Sequence, residues 1–372
     1  MAISPKLRNI PLQASASGIP TEKTAGPLPL IRLMEATMMV NRRKVLAAAA
    51  AGTFLATVRP LGAQTQDTLS VVLPNQFILA FIDVLFTQAA GYFEREGLRV
   101  GIEEGRGSSM ALQQVLGGNA TIARIGAVDH IRASGQPAGR DLVAIGTVQQ
   151  TSPWFVVSLQ DRPVTGPQDM ANRTVGIQSV GGTTETLLDI MLAGRGVDRT
   201  GVQRVVVGNS PAGVDLIRQG RIDAYFVTAG IAVALRKSGQ PVHLWNTDTV
   251  APTPGFCYSG KRDVIERHQP LIQRYLRAVR TALLDLIDGK VAIADALKAM
   301  ERYDMAEARN QDFAAAIYKE NIAFLLADGR ENLLRNVPTR WQSAYDLMVS
   351  CGFAPQNLKQ EDLYTNRFID AL

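Results

Sequence analysis

The sequence predicts an α/β protein of two lobes, joined by two hinge crossings of the chain and followed by a helical C-terminal part. Three observations carry this expectation. Short apolar, β-rich runs alternate with helical periodicities between residues 69 and 258, the pattern of parallel-sheet units. Two stretches, residues 149–153 and the Thr/Pro-rich 247–255, interrupt the alternation where the chain can pass between lobes. From Arg262 onward strand signals cease, and Leu271, Ile272, Tyr275, Leu276, Val279, Leu283 and Leu286 make a long apolar face at helical spacing.

The chain has 372 residues, 46% hydrophobic and 20% charged, ample for a sizeable core in one large or two medium domains. Its net charge of +5 invites a nucleic-acid reading. Eight of the 39 Lys/Arg but only two of the 34 Asp/Glu lie in residues 1–63, which leaves 31 bases against 32 acids for the remainder. A near-neutral body without a basic block lacks the electrostatic footprint of a nucleic-acid binder, so no such partner is expected. The basic leader has another use. Asn41-Arg-Arg-Lys44, the apolar run Val45 to Val58 and Leu61-Gly-Ala63 form the charged head, apolar stretch and small-residue cut of an export signal. The apolar run of 14 residues is too short to span a bilayer. Arg42-Arg43 resembles a twin-arginine signal, although Asn41 and Val45 depart from its usual residues. Residues 39–63 therefore read as signal peptide and 1–38 as a segment upstream of it. Gln64, not Cys, follows the cut, so we expect a soluble periplasmic chain without a lipid anchor.

Cys257 and Cys351 are the two cysteines; a bridge between them and two free thiols are both compatible with the sequence. Neither they nor the scattered His130, His243 and His268 have metal-ligand spacing, and no metal or cofactor is expected.

Taken in order, residues 69–73, 98–102, 121–126 and 142–148 read as strands of the first lobe, with helices after Gln76 and after Arg106-Gly-Ser-Ser109. Residues 154–158 are a further apolar run, followed by the loop 161–167. The second lobe has strands near 174–177, 204–207, 222–227 and 242–245, and Phe256-Cys-Tyr258 resumes β character as the chain returns. Lobe 1 is thus expected to be discontinuous, residues 64–155 plus 256–372, with lobe 2 at 156–255. Helices are expected near 291–300, 312–327 and 340–350.

The most informative stretch is Thr174-Val-Gly-Ile-Gln-Ser-Val-Gly-Gly-Thr-Thr-Glu185. It reads as a strand, a glycine-softened turn and a helix start, and such a turn offers unpaired backbone N–H groups beside two hydroxyls to an anion or polar head group. A faint internal echo links Leu112–Ile125 with Val214–Val227: helix, glycine stop, polar step, strand.

Four segments, Gly91-Tyr-Phe-Glu-Arg-Glu-Gly-Leu-Arg-Val100, Gly107-Ser-Ser109, Gly220-Arg-Ile-Asp-Ala224 and Leu363-Tyr-Thr-Asn-Arg-Phe368, resemble in order and spacing the periplasmic solute-binding proteins of ABC importers for nitrate, sulfonates, taurine and thiamine-type pyrimidines. Asn119-Ala-Thr121 departs from the acidic step usual there. The resemblance implies a type II periplasmic-binding-protein fold with a ligand cleft between the lobes, lined by loops at the C-terminal ends of strands. Carried onto this chain, the implied ligand-binding positions are Asn75, Gln76, Ser108, Ser109, Asp129, Trp154, Ser179, Gly182, Thr183, Thr184 and Thr228. Turn-forming, helix-capping and hinge-packing roles compete with ligand binding at these positions. Facing helix starts at Ser108 and Thr183, with Arg106 nearby, suit a sulfonate, nitrate or carboxylate. Asp129, Trp154 and Tyr225 suit an amine-bearing aromatic ring instead, and the sequence leaves both open.

The expected function is an extracytoplasmic, monomeric, non-catalytic receptor that hands a small molecule to an ABC permease in the inner membrane. The alternative is an enzyme related to pyrimidine synthesis in thiamine metabolism, for which His130 is the one tempting residue, although a surface or capping histidine is the commoner case. A sensory module is disfavoured, since no signalling domain is attached.

Overall fold

The computed structural model describes residues 67–372; the expected export signal and the segment before it lie outside these residues. β1 (Asp67–Val72) leads through α1 (Ile82–Ala89) and α2 (Tyr92–Arg95) to β2 (Leu98–Glu103), α3 (Ser108–Leu116), β3 (Ile122–Gly126), α4 (Ala127–Ser134) and β4 (Leu142–Thr147). β5 (Trp154–Leu159) begins a second sheet, which continues with β6 (Thr174–Ile177), α5 (Thr183–Ala193), β7 (Gln203–Val206), α6 (Gly213–Arg218), β8 (Ala224–Thr228), α7 (Ala229–Lys237) and β9 (Val242–Asn246). The chain returns as β10 (Phe256–Lys261). It ends in α8 (Arg262–Arg267), α9 (Gln269–Ile287), α10 (Ile293–Ala299), α11 (Gln311–Leu325), α12 (Pro338–Ser350), α13 (Gln360–Leu363) and α14 (Arg367–Asp370). This is a two-lobed type II periplasmic-binding-protein fold with two crossings and a helical C-terminal part.

The two sheets are wound alike: β2-β1-β3-β10-β4 and β7-β6-β8-β5-β9. The faint echo in the sequence falls on equivalent elements, α3–β3 in one sheet and α6–β8 in the other. Alternation of strands and helices predicted parallel sheets, and here the structure differs. β10 runs antiparallel to β3 and β4, and β5 antiparallel to β8 and β9. The reason is geometric. Each is the strand that arrives from the other lobe, and it enters beside the C-terminal end of its neighbour, pairing Phe256 with Gly126 and Trp154 with Thr228.

Strands β3, β4, β5 and β8 are buried along their whole length, which is why they read as continuous apolar runs and not as alternating ones. One core packs α1, α9, α10 and α11 on the first sheet around Phe86, Phe93, Tyr275 and Leu283. A second joins both lobes and α12 through Ile125, Val156, Ile177, Leu188 and Trp341. A third closes the far face of the second lobe around Val157, Tyr225 and Leu235. Among the described residues no helix is long and apolar enough to cross a membrane.

Arg124 lies fully buried in β3, paired with Asp83 at 2.9 Å and donating to the Ala80 carbonyl at 3.0 Å. Its guanidinium lies 4.7 Å from the centres of both the Phe81 and Phe256 rings, and the Tyr258 hydroxyl donates to the same Asp83 oxygen. A buried charge is tolerated only when paired in this way, and the arrangement holds both phenyl rings in place. The expectation of a surface or capping histidine is not met at His130, which is fully buried. Its Nδ1 lies 2.8 Å from Ser259 Oγ and its Nε2 2.7 Å from the Leu363 carbonyl, so it ties β10 to the C-terminal tail. Cys257 and Cys351 are both free thiols.

Candidate ligand-binding cleft

Where the two lobes meet, the helix starts of α3 and α5 face each other, as their sequences suggested, but they do not leave a gap for an anion. Ser108 Oγ and Thr183 Oγ1 lie 3.0 Å apart. Thr183 Oγ1 donates to Asp129 Oδ2 at 2.6 Å and Thr186 Oγ1 to Asp129 Oδ1 at 2.7 Å. Since the Thr183 proton is committed to the carboxylate, Ser108 is the donor of the first contact, giving a hydroxyl relay that ends on a buried anion. Arg132, 3.8 Å from Asp129, donates to the Gly181 carbonyl at 2.9 Å. Asp129 is therefore an interlobe acceptor and not a group presented to the cleft. Burial pushes its carboxyl above the usual range, against the smaller opposing effects of Arg132 and the hydroxyls.

Close backbone approach makes this contact possible. A Cβ at Gly107 (φ +117°) would lie 2.6 Å from Ser179 Oγ, and one at Gly126 would lie 2.5 Å from Thr183 Oγ1. Only glycine tolerates both that backbone angle and that proximity. Ser109 faces Gly181, whose Cβ would lie 3.1 Å from its hydroxyl, and Gly182 is the N-cap of α5. Neither lines a cavity. Thr184, 1% exposed, turns its hydroxyl back to accept from Gln178 N at 3.0 Å, and Glu185 Oε2 accepts from Gly181 N at 2.5 Å. The turn thus satisfies much of its own hydrogen-bonding demand.

The cavities lie beside this seam. A first compartment, bounded by Asn75, Ser108, Trp154, Ser179, Thr183 and Thr184, holds about 10 Å³, the space of about one water. A second of about 10 Å³ shares Asn75, Trp154 and Phe256 with it and adds Gln149, Thr228 and Asn321. The third is larger, about 230 Å³, and is bounded by Gln76, Phe77, Asn209, Gly230, Glu307 and Phe313 among others. Asn209 links the compartments: its Oδ1 accepts from Gln178 Nε2 at 2.9 Å and from Thr228 Oγ1 at 3.2 Å.

Eight of the eleven sequence-derived positions thus reach a compartment, and Asp129, Ser109 and Gly182 do not. Arg106 is exposed and lines none, and Tyr225 is packed in the second lobe's core. Sequence reasoning missed Gln178, although it stands beside Ser179 at a strand exit. It also missed Gln149, Asn209, Asn321 and Glu307. Two polar atoms in the second compartment's walls are left without partners although their residues are buried: the Trp154 indole N–H and Gln149 Oε1.

Residues 79–289, more than half of the chain, match the family described as NMT1/THI5 like. The chain belongs to the NMT1/THI5-like family. A search of curated proteins finds no match. Among solved structures, this NMT1/THI5-like chain is similar to a protein from Bordetella bronchiseptica RB50, with a TM-score of 0.68 at 20% identity over 83% of this chain and 97% of that one. It is also similar to the alkanesulfonate-binding protein SsuA from Xanthomonas axonopodis pv. citri bound to MOPS, with a TM-score of 0.60 at 15% identity over 80% of this chain and 98% of that one. The desulfurization enzyme DszB matches with a TM-score of 0.50 at 14% identity, over 82% and 98% of the two chains. At these identities the likeness concerns the fold, which serves binding and catalysis alike.

Proposed function

We propose that this protein is an extracytoplasmic receptor of an ABC importer, which closes on a small solute between its lobes and delivers it to a membrane permease. The observation that carries the reading is Trp154. It lines both small compartments at the point where the chain enters the second lobe, and its buried indole N–H has no protein partner. A buried donor left unsatisfied costs about 1–3 kcal/mol, so a group brought by a ligand has something to satisfy there. Support also comes from the two crossings, which make a hinge, and from the interlobe seam, which consists of small hydroxyl and glycine contacts able to separate and re-form. The walls of the three compartments hold serines, threonines and Glu307 but no His, Cys or Lys, so no Ser–His or Cys–His pair stands in them.

Differential scanning fluorimetry against sulfonates, nitrate, pyrimidines and aromatic acids, read together with small-angle scattering for closure, tests the proposal. A ligand that raises the melting temperature and contracts the molecule is the expected result. No stabilisation by any class, with lobes shown to be rigid, overturns it.

A further inference from the structure

We infer that the solute carries a cationic nitrogen, received by the Glu307 carboxylate in the compartment of about 230 Å³. This deepens the receptor reading and rests on it.

Charge is the first argument. Across the three compartments the only ionisable side chain in the walls is Glu307; no Arg or Lys lines any of them. The feature that suggested an anion, a pair of facing helix starts, is already answered by the protein's own Asp129 through Thr183 and Thr186. Within these three compartments a sulfonate or nitrate would meet the negative Glu307 and no positive side chain.

The state of Glu307 is the second. Its Oε2 accepts from Leu79 N at 2.8 Å, and among the described residues no Lys, Arg or His pairs with either oxygen. Burial raises its carboxyl above the usual range, with only the Leu79 N–H opposing, a cost that a bound cation would offset. The fold also makes room for this carboxylate. A Cβ at Gly230, in the first turn of α7, would lie 2.6 Å from Glu307 Oε1.

Size and shape are the third. The compartment of about 230 Å³ exceeds the roughly 150 Å³ that accommodates a benzene-sized guest. Phe77, Ile231, Ala234 and Phe313 give it apolar walls, and Phe77 is held by edge contact with Tyr303 at 5.2 Å. Apolar walls around one carboxylate fit a compact alkyl or aryl group bearing an ammonium or amidinium.

Calorimetric titration of the mature protein with benzylammonium, benzyl alcohol and benzenesulfonate tests the inference, on the wild type, Glu307→Gln and Gly230→Ala. The expected result is benzylammonium binding at least tenfold tighter than the other two. That preference should be lost in Glu307→Gln and weakened in Gly230→Ala, which shifts the carboxylate without removing its charge. Unchanged melting temperatures of both variants without ligand show that they fold. Tighter binding of the sulfonate, or a benzylammonium affinity indifferent to Glu307→Gln, overturns the charge assignment while leaving the receptor reading standing. Failure of all three probes to bind, together with failure of the broader panel to stabilise the protein, overturns both.

Discussion

Thr183 Oγ1 donates to Asp129 Oδ2 at 2.6 Å across the lobe boundary, so a helix start that looked poised for a ligand is engaged by a side chain of the facing lobe. The closed arrangement is thereby read by a carboxylate whose two oxygens count two threonines.

Asp129→Asn should loosen that closure. The amide has one acceptor where the carboxylate has two, and its N–H₂ group faces hydroxyls already acting as donors. Hydrogen bonds to a buried charge contribute about 1.5–3 kcal/mol, so solute affinity should fall roughly tenfold or more. Small-angle scattering should show a larger radius of gyration. A variant that binds and closes like the wild type would rule out the interlobe role.

Thr183→Val separates hydroxyl from shape. Both Thr183 (6% exposed) and Thr184 (1%) are buried, so bulky replacements at this helix start would strain packing as well as remove hydrogen bonds. Valine keeps the branch and deletes the relay between Ser108 and Asp129. We expect a loss of about 1–2 kcal/mol in urea unfolding and a weaker solute, with the far-ultraviolet circular dichroism unchanged. An unaltered urea midpoint would show that the relay contributes nothing.

Trp154→Phe should act in opposite directions on the free and the bound protein. The ring contact with Phe256, 5.9 Å between centroids, is retained in kind, while the unpartnered N–H disappears. Removing an unsatisfied buried donor should leave the free protein as stable or more so, by up to about 1 kcal/mol, and weaken the solute that would have used it. Melting curves with and without ligand check both halves; equal loss in the two conditions would indicate packing alone.

His130 should make stability depend on pH. Burial lowers its pKa from the ordinary 6.5 of a histidine to about 4. The unfolded chain therefore takes up the proton first, and the contribution is complete above pH 6.5 and is lost as pH falls through 6.5 toward 4. Between pH 7 and pH 5 the loss is about 2 kcal/mol. Urea titrations of wild type and His130→Gln should differ in slope by that amount over this window, with the variant flatter. Parallel slopes would show that the folded imidazole takes up its proton at about the same pH as the unfolded one, and would overturn the assignment.

Much of the fold was legible because its signals are local. Strand periodicity, glycine stops such as Gly117-Gly118 and Gly220, and the two polar interruptions each depend on a few neighbouring residues. The reversed strands β5 and β10 were not legible as such, since direction within a sheet is decided by where the chain re-enters, and β10 reaches β3 from about 130 residues away. The cleft divides along the same line. Ser108, Ser179, Thr183 and Thr184 follow strand exits that the sequence announces, whereas Asn321 and Glu307 come from the C-terminal helical part, where apolar spacing reports helices but not which polar residue turns inward. Asp129 sat at a strand exit too; only its partners on α5 distinguish a seam residue from a ligand group.

The reversed strands also set an order of assembly. All five strands of the second sheet lie between Trp154 and Asn246, so that lobe is complete as soon as this stretch is available. The first sheet is not: β4 joins it only through β10, which comes more than a hundred residues later, and Ala144 is further bridged by Tyr364 near the chain end. Until β10 arrives, β3 and β4 each keep an open edge. We therefore expect the amides of β5–β9 to gain protection first when refolding is followed by pulsed hydrogen exchange, with those of β4 last; simultaneous protection of both sheets would contradict this order. A protein of two such lobes would then be built by finishing one before the other can close its sheet.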